Sequence, residues 1–190
     1  MDKPRLTPLD ETDMSEAQRL VYRAIASGPR GAVSGPFNAL LRSPELADRL
    51  QKVGAYVRFE SSLPARLNEL AILVTARYWG AQFEWYAHCR FAEQAGLAPA
   101  IAQAIAEGRR PGALEADEAA VYDFCTQLHE MKNVTDAAWQ AALDRFGERG
   151  VIDLIGACGY YTIVSMVLNA THHPMPEGVA PPLRSLTASR

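Results

Sequence analysis

Apolar residues recur at intervals of three and four through most of the chain, and no run alternates with period two between hairpin-forming turn residues. The pattern predicts helices nearly throughout. Ser15 is placed to cap a helix running to about Ser27, after which the glycines and prolines of GPRGAVSGP (28–36) force an irregular connection. Ser43-Pro44 starts a second helix, running to about Glu60, because proline at the first helical position lacks an N–H that would be unpaired anyway. Pro64 opens the next, ARLNELAILVTARYW, which Gly80 ends; another runs from about Phe83 to Gly96. A short helix follows from Pro99 to near Gly108, then one over about 115–131, and one over about 136–146 behind a Thr135-Asp136 cap.

The stretch VIDLIGACGYYTIVSMVLNA (151–170) is apolar around most of its circumference. Asp153, Thr162, Ser165 and Asn169 interrupt it and its length barely spans a bilayer, so it reads as a helix in the core or at a subunit contact. From about Pro174 the prolines prevent further helix, leaving a tail that is either loose or laid over a neighbouring subunit. The expectation is an all-α fold: one domain over 1–173 and a Pro-rich tail over 174–190.

Composition narrows the function. A chain of 190 residues with 48% hydrophobic residues can bury a sizeable core, and its net charge of −3 comes from interspersed signs, which argues against nucleic acid as a partner. Cys89, Cys125 and Cys158 lie far apart with no CxxC, suggesting neither a disulfide framework nor a zinc site and fitting a reducing compartment. The start, MDKPRLTPLDETD, has no apolar segment of the secretory kind, so the expectation is a cytoplasmic protein.

Two polar residues break the pattern in QFEWYAHC (82–89). A step of four takes Glu84 to His88, and further helical steps reach Phe91 and Ala95, while Arg90, Glu93 and Gln94 lie away from that stripe. In the preceding helix Glu69 shares a face with Ile72, Leu73 and Ala76. A buried carboxylate is costly unless paired or protonated, and such surroundings shift pKa values toward those useful for proton transfer. Two acids and an imidazole in adjacent apolar helices form a candidate acid/base group. The plainer readings are a first-turn carboxylate favoured by the helix dipole at Glu84 and a hydrogen-bonded core histidine at His88. Trp79, Trp85 and Tyr86 read first as core or interface aromatics, with Trp85 also a candidate substrate contact. His172 and His173 point about 100° apart on a helix and make a poor chelating pair, and Cys89 has no resolving cysteine close in sequence.

The segment LNELAILVTARYWGAQFEWYAHCRFAEQAGL (67–97) resembles the signature of the carboxymuconolactone decarboxylase family, which includes the AhpD-like alkylhydroperoxidases. The resemblance rests on the Glu of an ELAxL run, a Glu-Trp-x-x-His group and a small-residue helix ending in AGL; GPFNALLRSPELA (35–47) is similar to the lead-in of longer members. It implies an AhpD-like domain of about seven to nine helices and a homo-oligomer (dimer, trimer or hexamer). The family's acid falls on Glu69 and its histidine on His88. In the peroxidase branch a CxxC precedes that histidine; here those two places hold Ala81 and Glu84, so the thiolate chemistry of that branch has no counterpart in the motif.

The resemblance therefore implies a cofactor-independent decarboxylase acting on a small carboxylated lactone or related carbonyl acid, with His88, Glu84 and Glu69 catalytic. Arg58, Arg66 and Arg77 are candidates to hold substrate carboxylates, because a guanidinium binds them bidentately. No cofactor or metal is called for by this chemistry. The alternatives are a thiol-dependent antioxidant enzyme and a non-catalytic oligomeric protein that binds a small acid.

Overall fold

The computed structural model describes residues 3–186. Among them there is no strand, and eight α-helices carry the fold: α1 (Glu16–Ser27), α2 (Phe37–Leu40), α3 (Pro44–Ala55), α4 (Ala65–Trp79), α5 (Gln82–Gln94), α6 (Pro99–Ala106), α7 (Ala116–Met131) and α8 (Asp136–Thr171). The all-α expectation holds. Ser15 caps α1 through a reciprocal pair, its hydroxyl accepting from the Gln18 N–H while the Gln18 side chain accepts from the Ser15 N–H. The four-residue α2 lies where the sequence pattern gives no element, inside the lead-in after the Gly/Pro connection.

α4 is the axis of the molecule. Every residue from Leu67 to Ala76 is buried, because α5, α6, α7 and α8 all pack around it. A helix apolar on all sides is stable only when neighbours cover all of it, and the covering helices here bring Val121, Phe124, Leu154, Ala157 and Val164 into one core. A smaller apolar cluster of Val21, Ile25, Phe37, Leu40, Leu41 and Ala47 fastens α1, α2 and α3 together.

The helix expected over 44–60 changes character near its end. After Ala55 the backbone widens into a π-turn, Tyr56–Glu60, held by the Asn68 amide donating to the Val57 carbonyl at 3.0 Å. Asp153 of α8 anchors the same connection: it accepts from the Tyr56 hydroxyl at 2.8 Å and from the Ser62 N–H and hydroxyl at 2.8 and 2.7 Å. Burial would raise the Asp153 carboxyl, but these hydrogen bonds overcome it and hold the group below the usual carboxylate range.

The two apolar segments expected over 136–146 and 151–170 form one element, α8, broken at Gly147, whose backbone (φ 64°, ψ 178°) leaves the helical region. Only glycine adopts that conformation cheaply, so the bend sits there. Beyond it Val151, Leu154, Cys158, Tyr161, Ser165 and Leu168 turn inward, while Ile152, Ile155, Ile163 and Met166 form an exposed apolar face.

The tail departs from expectation. Over its described residues it is not loose: it lies along its own chain. Gln82 accepts from the Leu183 N–H at 2.8 Å and donates to the Leu183 carbonyl at 2.9 Å, Arg77 donates to the Arg184 carbonyl at 3.0 Å, and the Leu183 side chain is buried in the main core. Proline removes helix but not packing; a single apolar anchor with backbone partners is enough to seat an extended segment.

Candidate functional site

α4 and α5 are joined by a tight turn at Gly80-Ala81, so their facing sides meet over their full length. That geometry puts Glu69, in the second turn of α4, against His88, in the second turn of α5. His88 Nδ1 lies 2.7 Å from Glu69 Oε2 and His88 Nε2 lies 3.3 Å from Glu84 Oε2. All three side chains are buried. The dipole reading of Glu84 is also satisfied, since the residue does sit in the first turn of α5, but its carboxylate faces the imidazole rather than water.

Burial alone would drive the His88 pKa down. The hydrogen bond to Glu69 and the interaction with Glu84 outweigh it and lift the group to about 9, so the imidazolium is the resting form at neutral pH. An imidazolium between two carboxylates has both its N–H groups engaged. Glu69 lies behind the ring, away from the cavity, and takes the shorter contact; Glu84 and His88 both line the cavity, so the Nε2 side is the one open to a ligand.

The cavity has a volume of about 240 Å³. Its walls are Phe83, Phe91, Tyr161 and Val164, and two guanidinium groups, Arg30 and Arg58, complete it. Tyr161 stands edge-on to His88 with ring centres 4.9 Å apart, and burial pushes its phenol well up, keeping it neutral. Arg58 rides on the π-turn and lies 4.5 Å over the Phe91 ring. Arg30 comes from the irregular 28–36 connection, donates to the Tyr160 hydroxyl at 3.3 Å and stacks 4.8 Å over Phe37. Gly54 makes room for this: a Cβ there would collide with the Tyr160 hydroxyl and the Arg30 guanidinium.

Of the expected substrate contacts, Arg58 alone reaches this cavity. Arg66 is engaged elsewhere, paired with Asp117 at 2.7 Å and with Glu118 on α7, where it ties α4 to α7. Arg77 sits near the other end of α4 under the tail, about two turns from Glu69 along the helix. Trp85 is 4% exposed and packs in the core, outside the lining of the His88 cavity. The reason is common to all three: proximity in sequence to Glu69 or Glu84 does not fix the side of the helix. Arg30, Tyr160 and Tyr161 were not anticipated. The first lies in a connection with no periodicity, and the tyrosines lie in a segment so uniformly apolar that its inward face is indistinct by pattern; no sequence signal singles them out.

Two cysteines that lie far apart in sequence meet in space. Cys125 of α7 and Cys158 of α8 are buried with their sulfurs 3.4 Å apart, because helices distant in sequence are neighbours around α4. Cys89 is separate; its thiol faces Glu93, and burial raises it. His173 packs edge-on against Phe83 with ring centres 4.6 Å apart. Among the described residues no group of three or more His, Cys, Asp or Glu side chains is placed to share a metal ion.

The sequence model of the carboxymuconolactone decarboxylase family (CMD) matches residues 44–127. That span contains Arg58, Glu69, Glu84 and His88; Arg30, Tyr160 and Tyr161 lie outside it. No curated protein and no solved structure matches the chain.

Proposed function

We propose that this chain, whose residues 44–127 belong to the carboxymuconolactone decarboxylase family, is a carboxy-lyase that removes CO₂ from a small carboxylated lactone or a related carbonyl acid by acid/base catalysis. The observation that carries the reading is a charged His88 held between Glu69 and Glu84 at the wall of a cavity that also presents two guanidinium groups.

In a γ-carboxylated butenolide, loss of CO₂ breaks the C–C bond and moves its electron pair through the ring double bond into the lactone carbonyl. The substrate thus supplies its own electron sink, and the protein has two tasks. It must stabilise the dienolate oxygen and deliver a proton to one ring carbon. His88, protonated at rest, donates the proton from Nε2. Glu84 lies on the same nitrogen and recharges it from solvent, while Glu69 holds Nδ1 and fixes the ring plane. Arg30 and Arg58 bind the substrate carboxylates, with Arg30 in the role that the sequence reading gave to Arg66 and Arg77. Phe83, Phe91 and Val164 exclude water, which strengthens every charge interaction in the site.

The homo-oligomer implied by the family resemblance belongs to the same proposal, and the exposed Ile152, Ile155, Ile163 and Met166 face of α8 supports it. An Ile155→Arg variant that sediments as the wild type does would remove that contact from consideration.

The test of the activity is consumption of 4-carboxymuconolactone with CO₂ release by the purified chain, without added cofactor, compared with His88→Ala. Release that depends on His88 is the expected result. Folded protein that binds but does not convert this compound and a panel of related lactones and keto acids would overturn the lyase in favour of a binding protein.

A further inference from the structure

A second polar cluster lies on the side of α4 that faces α7. Thr75 donates its hydroxyl proton to the Ala71 carbonyl at 2.9 Å, which leaves its oxygen to accept from His129 Nε2, also at 2.9 Å. His129 of α7 is buried, stacked on Tyr78 with ring centres 4.9 Å apart. Beside these two lie the Cys125 and Cys158 sulfurs, 3.4 Å apart across the α7–α8 contact. None of the four takes part in the reaction proposed for His88. A cavity of about 180 Å³ reaches His129 from outside, with neither sulfur in its lining; Tyr78 and Arg77 line it as well, and Leu186 of the tail forms part of its wall. The Arg77 Nε and Nη2 atoms are buried there without a hydrogen-bond partner.

We propose that Cys125 and Cys158 are an oxidisable dithiol, converted by a small hydroperoxide into a disulfide that locks α7 to α8. Closing the sulfurs from 3.4 Å to bonding distance requires an approach of about 1.4 Å, within the reach of small side-chain rotations. The roles of the two cysteines differ. Hydrogen bonding between the sulfurs, joined by His129 on the Cys158 side, holds the Cys158 thiol below its ordinary range against the effect of burial. Burial pushes the Cys125 thiol up.

Cys158, the sulfur on the His129 side of the pair, is the nucleophile. Its thiolate attacks a peroxide oxygen: an S–O bond forms, the O–O bond breaks, and the departing alkoxide or hydroxide takes up a proton to leave as alcohol or water. Cys125 then attacks the Cys158 sulfenic sulfur; the S–S bond forms, the S–O bond breaks, and hydroxide leaves as water with the proton Cys125 gives up. Two thiols are oxidised and one peroxide is reduced. His129 is a positioning residue for the thiolate and touches no substrate.

The experiment uses the full chain, reduced and then freed of reductant, treated with hydrogen peroxide, alkylated under denaturing conditions and mapped by mass spectrometry without reduction. Alkylatable thiols should fall from three to one, with the Cys125 and Cys158 peptides joined within one chain and Cys89 still free, and dithiothreitol should restore all three. In Cys125→Ser, dimedone should trap a sulfenic acid at Cys158; in Cys158→Ser, thiol loss at Cys125 should slow at least tenfold. In His129→Gln the pH profile of sulfenate formation should move toward higher pH. Three intact thiols after a dose that oxidises free cysteine, or loss confined to Cys89, would overturn the proposal. The wild-type map alone decides this, so a variant that fails to fold leaves the outcome readable.

Discussion

α4 meets two buried histidines on different sides, His88 of α5 and His129 of α7, and they differ in what surrounds the imidazole. On the α5 side His88 meets two carboxylates and a cavity with two arginines; on the α7 side His129 meets a hydroxyl, a tyrosine ring and a pair of thiols. Carboxylates hold the His88 imidazole charged, raising it to about 9. The first arrangement suits delivering a proton to carbon. The second suits shaping a thiolate. Burial is nearly the same at the two sites, so partner chemistry, not burial, separates them.

The sharpest way to break this comparison is to remove each centre in turn. His88→Ala should lower kcat on the carboxylated lactone roughly 10²- to 10⁴-fold, the range for loss of a general acid. Cys158→Ser should leave kcat within about twofold, since it lies outside the His88 cavity. Equal losses in both variants would show that the clusters act as one.

A second prediction concerns pH. The His88 pKa is raised from 6.5 to about 9 in the folded chain, so its contribution to stability is fully present below pH 6.5 and is lost as pH rises through 9. The size is on the order of 3 kcal/mol. Urea unfolding from pH 6 to 10 should register this slope, and His88→Ala should flatten it; kcat should fall above about pH 9 in the wild type for the same reason. A slope that survives the substitution would assign the effect to another group.

The arginines allow a third separation. Arg30→Gln should raise KM by roughly 10- to 100-fold, the worth of a charge-assisted hydrogen bond to a carboxylate, with Arg58→Gln similar. Arg66→Gln should leave KM unchanged while lowering stability, because its partners are Asp117 and Glu118. A KM change in Arg66→Gln equal to that in Arg30→Gln would undo this assignment. The smallest expected effect is that of Gly54→Ala: crowding Tyr160 and Arg30 should cost about 1–3 kcal/mol of stability and raise KM with it. A fully neutral Gly54→Ala would mean that Arg30 is not held where the cavity needs it.

What the sequence determined by itself was local. Periodicity, Ser15, Pro44 and Gly80 marked helices and their ends, since caps and apolar spacing act within one or two turns. Glu69, Glu84 and His88 stood out for the same reason: each is a polar residue in an apolar stripe, a conflict visible without knowing the neighbour. Arg30, Tyr160 and the Cys125–Cys158 contact depend instead on which helices pack side by side, and no spacing along the chain encodes that. Arg66, Arg77 and Trp85 illustrate the same limit from the other direction, being near the site in sequence and turned away from it in space. Leu183 decided that the proline-rich tail lies on its own chain, because burial of a side chain against a distant element is settled only when the whole core closes.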